Sequence, residues 1–356
     1  MRKGFSRAGL PESAPLDIRP KRPYSKQYPN GARSAHRRTT VPRGVLHRYG
    51  GAAMPVIRKV IFTTDFSETA NHALPYAIKM AKIFETELVM LHAVTLYEHD
   101  PNDPGHRFPS LDHYCAELRK SADMNLQFCV ERAGDAGVSV RKIVVQSVTP
   151  HAGIIDFAKE QGEGAMIVMS THGRSGFSHA LLGSVTENVI RYAPCPVLAV
   201  KQPEHEFIDP KTGEVAMRKI LFPLDFSKDS LKPLDLVRFI AARHAAEVVL
   251  FHAIDVDIPS IYYTAGIESV LQLDPGLHDR MEKKMRDLVG DGLAGIAARY
   301  EVADGRAVTL IKDLAVREKV DLIAMASSGS HGIGDFLFGS TAARVIQKAV
   351  CPVLVV

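Results

Sequence analysis

The sequence predicts an α/β protein made of two tandem, doubly wound domains, each built on a five-stranded parallel sheet. Three observations carry that prediction. First, short apolar runs alternate with segments of helical period, and such alternation implies a parallel sheet with right-handed crossovers and helices on both faces. Second, the chain repeats itself: residues 166–200 read MIVMSTHGRSGFSHALLGSVTENVIRYAPCPVLAV, and residues 322–356 read LIAMASSGSHGIGDFLFGSTAARVIQKAVCPVLVV. Third, Gly173, nine residues and Gly183-Ser184 return as Gly329, nine residues and Gly339-Ser340, displaced by 156 positions, with Cys195 mapping onto Cys351. At an average Gly content of about 7%, that glycine pattern arises by chance about 0.2 times in a chain this long. Two matches in one strand–loop–helix–strand setting therefore mark a duplication.

The elements follow in order. Residues 59–64 (KVIFTT) form a short apolar strand that ends in Asp65-Phe66-Ser67. Ser67 is placed to cap a helix, in which Ala70, Ala73, Leu74, Ala77, Ile78 and Ala81 recur at helical spacing. Pro75 lies inside that pattern and predicts a kink without loss of the helix. Residues 87–94 are a second strand, a helix covers about 111–133, and residues 138–146 are a third strand. A helix at 151–159, a strand at 165–169, a helix at 183–192 and a strand at 197–200 complete the first half.

Residues 201–217, polar with two prolines and a glycine, read as a linker between domains at 54–200 and 218–356. In the second domain, RKILF at 218–222 echoes RKVIF at 58–62, Asp225-Phe226-Ser227 echoes Asp65-Phe66-Ser67, and LFHAI at 250–254 echoes MLHAV at 90–94. These early matches are displaced by 160 positions against 156 for the Gly loops, which places a net loss of four residues between them, expected in a shortened third strand at 300–303. Five strands per copy fit a flavodoxin-like or Rossmann-like sheet, whose ligands sit at the carboxyl ends of the strands. Asp65 and the loop from Ser170 to Gly183 flank that crevice.

Composition narrows the function classes. The 356 residues suffice for two domains, and 46% hydrophobic with 24% charged residues is a globular composition. No apolar run approaches the roughly 18 residues that span a bilayer, so no membrane is expected. Cys115, Cys129, Cys195 and Cys351 show no CxxC spacing and read as buried free thiols of a cytoplasmic protein. The net charge of +4 hides an asymmetry: residues 1–53 carry twelve Lys/Arg against Glu12 and Asp17, hence +10, and the rest carries −6. The basic character therefore says little about what the folded part binds, and no nucleic-acid partner is expected for it. Residues 1–53 are rich in Pro, Gly, Arg and Ser and read as disordered. A basic arm, a transit-like segment and a start at Met54 compete as explanations, and the start at Met54, five residues before the first strand, is the preferred one.

The loops suggest chemistry. Backbone N–H groups opening a helix lack intrahelical partners, and the helix dipole adds a positive field, so Gly183-Ser184 offers donors to a phosphate. Ser184 could add its hydroxyl, or could merely cap the helix. Gly173 and Gly176 could fold over a ligand or form a tight turn, and Arg174 could neutralise a phosphate or lie in solvent. Asp65 could accept hydrogen bonds from a ribose hydroxyl or a base amino group, or stabilise its own helix terminus. A phosphate-type loop beside an acidic strand end, twice over, favours a nucleotide.

On these residues the chain resembles a tandem universal stress protein with two UspA-type domains, over about residues 56–200 and 218–356. The ATP-binding branch of that family carries Gly-x2-Gly-x9-Gly-[Ser/Thr]. Here the pattern reads Ser170-x2-Gly173-x9-Gly183-Ser184 and Ala326-x2-Gly329-x9-Gly339-Ser340. The resemblance implies ATP as ligand, with Mg²⁺ or Mn²⁺ carried on its phosphates. It implies that Gly173, Gly183 and Ser184 contact phosphates, with Arg174 and Val185 alongside, and that Ser170 lies near the ribose. Thr64, Asp65 and the backbone of Ala93 would hold the nucleoside. Asp225, Ala253, Ala326, Gly329, Gly339 and Ser340 are the corresponding positions in the second half. The departures fall mainly there: Ala326 stands for the first Gly, Ser330 for Arg174 and Leu224 for Thr64, so the first site is the expected nucleotide binder. The family also implies that the fifth strands pair the two halves into an internal pseudo-dimer, with a homodimer through fifth-strand edges as a further expectation.

Other chemistry has thin support. His92, His99, His106 and His113 recur every seven residues, but a strand and a Pro-rich loop need not bring them together, and no metal site is expected. Nucleotide-hydrolase, serine-hydrolase and zincin motifs are missing. The expected role is ATP-linked stress survival or regulation. The alternatives are a nucleotide-free interaction module with an unidentified protein partner and a slow metal-dependent ATPase.

Overall fold

The computed structural model describes residues 57–95, 111–134, 136–162, 164–172, 182–201, 207–208, 216–256, 258–327 and 339–356. The expectation of disorder for residues 1–53, and those on the loop residues Gly173, Arg174, Gly176, Gly329 and Ser330, lie outside them. The first half runs β1 (Lys59–Thr63), α1 (Glu68–His72), α2 (Leu74–Ile83), β2 (Glu87–Thr95), α3 (Leu111–Gly134), β3 (Val140–Ser147), α4 (Pro150–Gln161), β4 (Ala165–Ser170), α5 (Ser184–Tyr192) and β5 (Val197–Val200). The second runs β6 (Lys219–Pro223), α6 (Leu234–His244), β7 (Glu247–Ile254), α7 (Ser260–Tyr263), α8 (Val270–Leu273), α9 (Leu277–Val289), β8 (Ala298–Asp304), α10 (Ala307–Glu318), β9 (Leu322–Met325), α11 (Ser340–Lys348) and β10 (Val353–Val355).

The strands form one ten-stranded sheet in the order β3-β2-β1-β4-β5-β10-β9-β6-β7-β8. Within each half all pairings are parallel, and β5 meets β10 antiparallel with Leu198 opposite Leu354. Helices cover both faces, so the central strands are largely apolar and bury alternate residues in two layers, whereas the edge strands β3 (VRKIVVQS) and β8 (ARYEVAD) carry charged residues and are only partly buried. Val60, Phe62, Met90 and Val168 share one layer with Phe222 and Leu250 of the second half; Ile61, Val89 and Ile167 share the other with Leu221 and Val249. Both layers run through the junction, which explains why the halves are joined as an internal pseudo-dimer.

The junction also corrects an expectation. β5 lies between β4 and β10, and β10 between β5 and β9, so both fifth strands are paired on both sides. Neither offers an edge through which a homodimer could form. The kink expected at Pro75 is a break: α1 ends at His72, α2 begins at Leu74, and Pro75 sits in its first turn, where a missing N–H costs nothing. The expected shortening of the third strand is corrected too. β8 has seven residues against eight in β3, and the displacement between halves falls from 160 to 158 between the second and third strands. It then reaches 157 at the following helix and 156 at the fourth strand, so the loss is spread over three connections. The segment read as a linker contributes to the core: Phe207 and Ile208 are buried, and the Phe207 ring stands edge-on to Tyr76 at 4.9 Å.

Candidate functional site

The carboxyl ends of β1, β2 and β4 and the start of α5 surround a cavity of about 570 Å³ in the first half. Thr64, Asp65, Ala93, Ser170, Gly183, Ser184 and Val185 all lie on its wall. The topology explains the convergence. β1 is central, β2 and β4 flank it, and crossover in opposite directions opens a crevice where the strand order reverses.

The phosphate-type end is built by α5. Gly183 is its N-cap residue, with φ −63° and ψ 140°, and no side chain caps the helix among the described residues. Ser184 is the first helical residue, so its alternative role as N-cap is excluded by position. The Gly183 N–H donates to the Thr171 carbonyl at 2.9 Å, and a Cβ on Gly183 would stand 3.0 Å from that oxygen. Glycine is thus needed here for close approach. Thr186, buried on α5 and also on the cavity wall, donates its hydroxyl to the Ser170 carbonyl at 2.8 Å and ties α5 to the end of β4.

The opposite end is the turn after β1. The Thr64 hydroxyl accepts from the Phe66 N–H at 2.9 Å, and Asp65 Oδ1 accepts from the Ser67 N–H at 3.0 Å and the Ser67 hydroxyl at 2.6 Å. Ser67 in turn accepts from the Ala70 N–H at 3.1 Å as the N-cap of α1. Asp65 therefore does hold its helix terminus, as the structural alternative required, while facing the cavity. His92, on β2, places Nδ1 2.7 Å from the Thr64 carbonyl, and its ring lies against Phe66 at 4.3 Å.

Phe66, His92, His172, Ser121 and Asn125 also line the cavity and were missed by sequence reasoning. His92 and Phe66 carried a signal, since both belong to segments repeated in the second half. Ser121 and Asn125 carried none, because α3 has no counterpart motif. Gly173 and Arg174 lie outside the described residues. Of the four periodic histidines, His92 is on β2 and His113 on α3, and His99 and His106 lie outside the described residues. Among the described residues no group of three His, Cys, Asp or Glu could hold a metal ion.

The second half repeats the frame with different fittings. Asp225 Oδ1 accepts from Ser227 N–H and hydroxyl at 3.0 and 2.6 Å, and His252 Nδ1 lies 2.8 Å from the Leu224 carbonyl. Ala253 lies on β7, Ala326 follows β9, and Gly339 caps α11, whose first residue is Ser340. Ala342 stands where Thr186 does and has no hydroxyl to tie helix to strand. Lys284 of α9 sets its ammonium 4.1 Å from the centre of the Phe226 ring. Burial holds the His252 imidazole below its ordinary value, and Lys284 acts the same way; the Leu224 carbonyl and Asp225 oppose them. Cys129 and Cys351 are buried free thiols, and burial pushes the Cys195 thiol up to about 12, so none is a ready nucleophile.

A doubly wound parallel sheet with a cavity at its strand ends defines an α/β protein of the flavodoxin-like class. The universal stress protein family model matches residues 57–201 and 217–356, and the chain belongs to that family. A universal stress protein of Methanocaldococcus jannaschii is 31% identical over 156 residues, covering 41% of this chain and 95% of the relative. A universal stress protein of Mycolicibacterium smegmatis is 24% identical over 314 residues, covering 83% of this chain and 96% of its own, as expected of a tandem relative. The crystal structure of a universal stress protein from Archaeoglobus fulgidus superposes with a TM-score of 0.60 at 23% identity, covering 83% of this chain and 97% of that one, and shows the shared fold. No helix among the described residues is long and apolar enough to cross a membrane.

Proposed function

We propose that this chain binds ATP in the cavity of its first half and serves stress survival or regulation through nucleotide-dependent conformation or partner binding. The observation that carries the reading is the convergence on one cavity of a carboxylate at Asp65 and a helix N-terminus at Gly183-Ser184 that no side chain caps among the described residues. The helix N-terminus supplies N–H donors and a positive field for phosphate. The carboxylate accepts from ribose or base, with the Ala93 backbone and Ser170 between them. A volume of about 570 Å³ is in the range of small-molecule sites. Mg²⁺ or Mn²⁺ enters this reading on the phosphates, without a protein cage.

The first half is favoured over the second because Thr64, Ser170 and Thr186 keep hydroxyls where Leu224, Ala326 and Ala342 have none. Purified protein, denatured and extracted, should release adenine nucleotide, and nucleotide-free protein should rebind ATP in the presence of Mg²⁺. Folded protein that neither retains nor rebinds nucleotide would instead establish the interaction module, and steady phosphate release with metal would establish the slow ATPase.

A further inference from the structure

We infer that His92 is a positioning residue of the nucleotide site: its Nδ1–H holds the strained turn that presents Asp65 to the cavity. The inference rests on the ATP reading above and adds the group that sets its acidic end. A carbonyl oxygen only accepts, so the 2.7 Å contact between His92 Nδ1 and the Thr64 oxygen requires the proton on Nδ1. That bond fixes the peptide plane between Thr64 and Asp65 and ties the end of β1 to β2. The next residue, Phe66, has φ 66°, in the left-handed region that side chains with a Cβ rarely adopt. Such a conformation persists only where its surroundings over-determine it, and it gathers at functional sites.

Here the surroundings are explicit. The Phe66 N–H is held by the Thr64 hydroxyl, the Ser67 N–H by Asp65 Oδ1, and the Phe66 ring lies against the His92 ring at 4.3 Å. His92 thus acts on the turn twice, through its N–H on one side and its ring on the other.

The second half gives an independent repeat. His252 Nδ1 lies 2.8 Å from the Leu224 carbonyl, Phe226 has φ 62°, and its ring lies 4.2 Å from that of His252. The arrangement survives replacement of Thr64 by Leu224, so the histidine bond to the backbone carbonyl, and not the Thr hydroxyl, is the common element. In the first half this same His92 faces the cavity together with Asp65 and Ala93, which makes the turn part of a binding wall.

The test compares full-length wild type with His92→Phe and His92→Asn. Phenylalanine keeps a ring against Phe66 and removes the donor; asparagine places an amide N–H where Nδ1–H was. ATP affinity is measured by calorimetry with Mg²⁺, and amide exchange at Phe66 and Ser67 is measured without nucleotide. His92→Phe should weaken ATP binding and speed exchange at both amides by about tenfold or more, a loss of about 1.4 kcal/mol. His92→Asn should recover both to within about threefold of wild type. Wild-type behaviour of His92→Phe, or an Asn variant no better than Phe, would overturn the inference. Wild type that fails to bind ATP would overturn the nucleotide reading instead, and the exchange measurement, which needs no nucleotide, would still decide whether His92 holds the turn.

Discussion

Replacement of Gly183 by alanine isolates the closest backbone approach at the site. Gly183 has φ −63° and ψ 140°, which any residue adopts, so Gly183→Ala carries no torsional strain. Its cost is contact: the new Cβ would lie 3.0 Å from the Thr171 carbonyl oxygen, a few tenths of an ångström too near. The same oxygen accepts the Gly183 N–H at 2.9 Å, so relieving the contact stretches that hydrogen bond, and Thr171 is buried. Weakening one such bond and losing glycine at the N-cap together cost about 1–2 kcal/mol. For a folded unit of this size, that lowers Tm by roughly 2–3 °C in a thermal scan. The displacement also moves the N–H groups of Ser184 and Val185 away from the positions proposed for phosphate contact, and on that reading ATP affinity should fall about tenfold, equivalent to about 1.4 kcal/mol. Calorimetry and scanning fluorimetry on the same preparation read both effects. Wild-type Tm and affinity in Gly183→Ala would refute the close-approach argument.

Three further outcomes are expected. Leu354→Ala removes a buried side chain opposite Leu198 at the junction and should cost about 2–5 kcal/mol. Because both core layers cross the junction, denaturant should still unfold the chain in one transition; two separated transitions would contradict a shared core. A fragment of residues 54–201 leaves one edge of β5 unpaired and should self-associate antiparallel through it; a stable monomer in sedimentation at micromolar concentration would count against that pairing as the interface. Burial holds His244 and His252 below the ordinary value of 6.5, helped by Arg243 and Lys284 respectively. The unfolded chain therefore binds more protons below about pH 6.5, so stability is complete above that pH and declines as pH falls toward the folded-state values. Urea midpoints between pH 7.5 and 5 should show the decline, and His244→Gln should flatten it; an unchanged slope would exclude His244 as a contributor.

Much of the fold was readable because buried parallel strands are short apolar runs and the crossover helices keep an apolar helical period, with side-chain caps at α1 and α4. β5 falls at residues 197–200 as the sequence reads, and Ser67 caps α1 as its position after Asp65-Phe66 implies. What escaped depended on three-dimensional context. Phe207 sits in a polar stretch, and only the neighbouring Tyr76 ring explains its burial. Pro75 looked like a kink because the apolar period continues across it, whereas the backbone restarts a helix at Leu74. The pairing of the fifth strands was expected, but the further homodimer through them was not compatible with it, because each strand consumes the other's edge. At the site, Gly183 and Asp65 were legible from motif and repeat, while Ser121 and Asn125 reach the cavity only through the course of α3.

The central claim, a nucleotide held by the first half, is tested most directly by calorimetric titration of residues 54–356 with ATP and Mg²⁺, alongside Gly183→Glu and Gly339→Glu. A carboxylate at either N-cap opposes a phosphate at that helix start. The account predicts that Gly183→Glu abolishes binding and that Gly339→Glu leaves it intact. Binding lost in Gly339→Glu and retained in Gly183→Glu would contradict it.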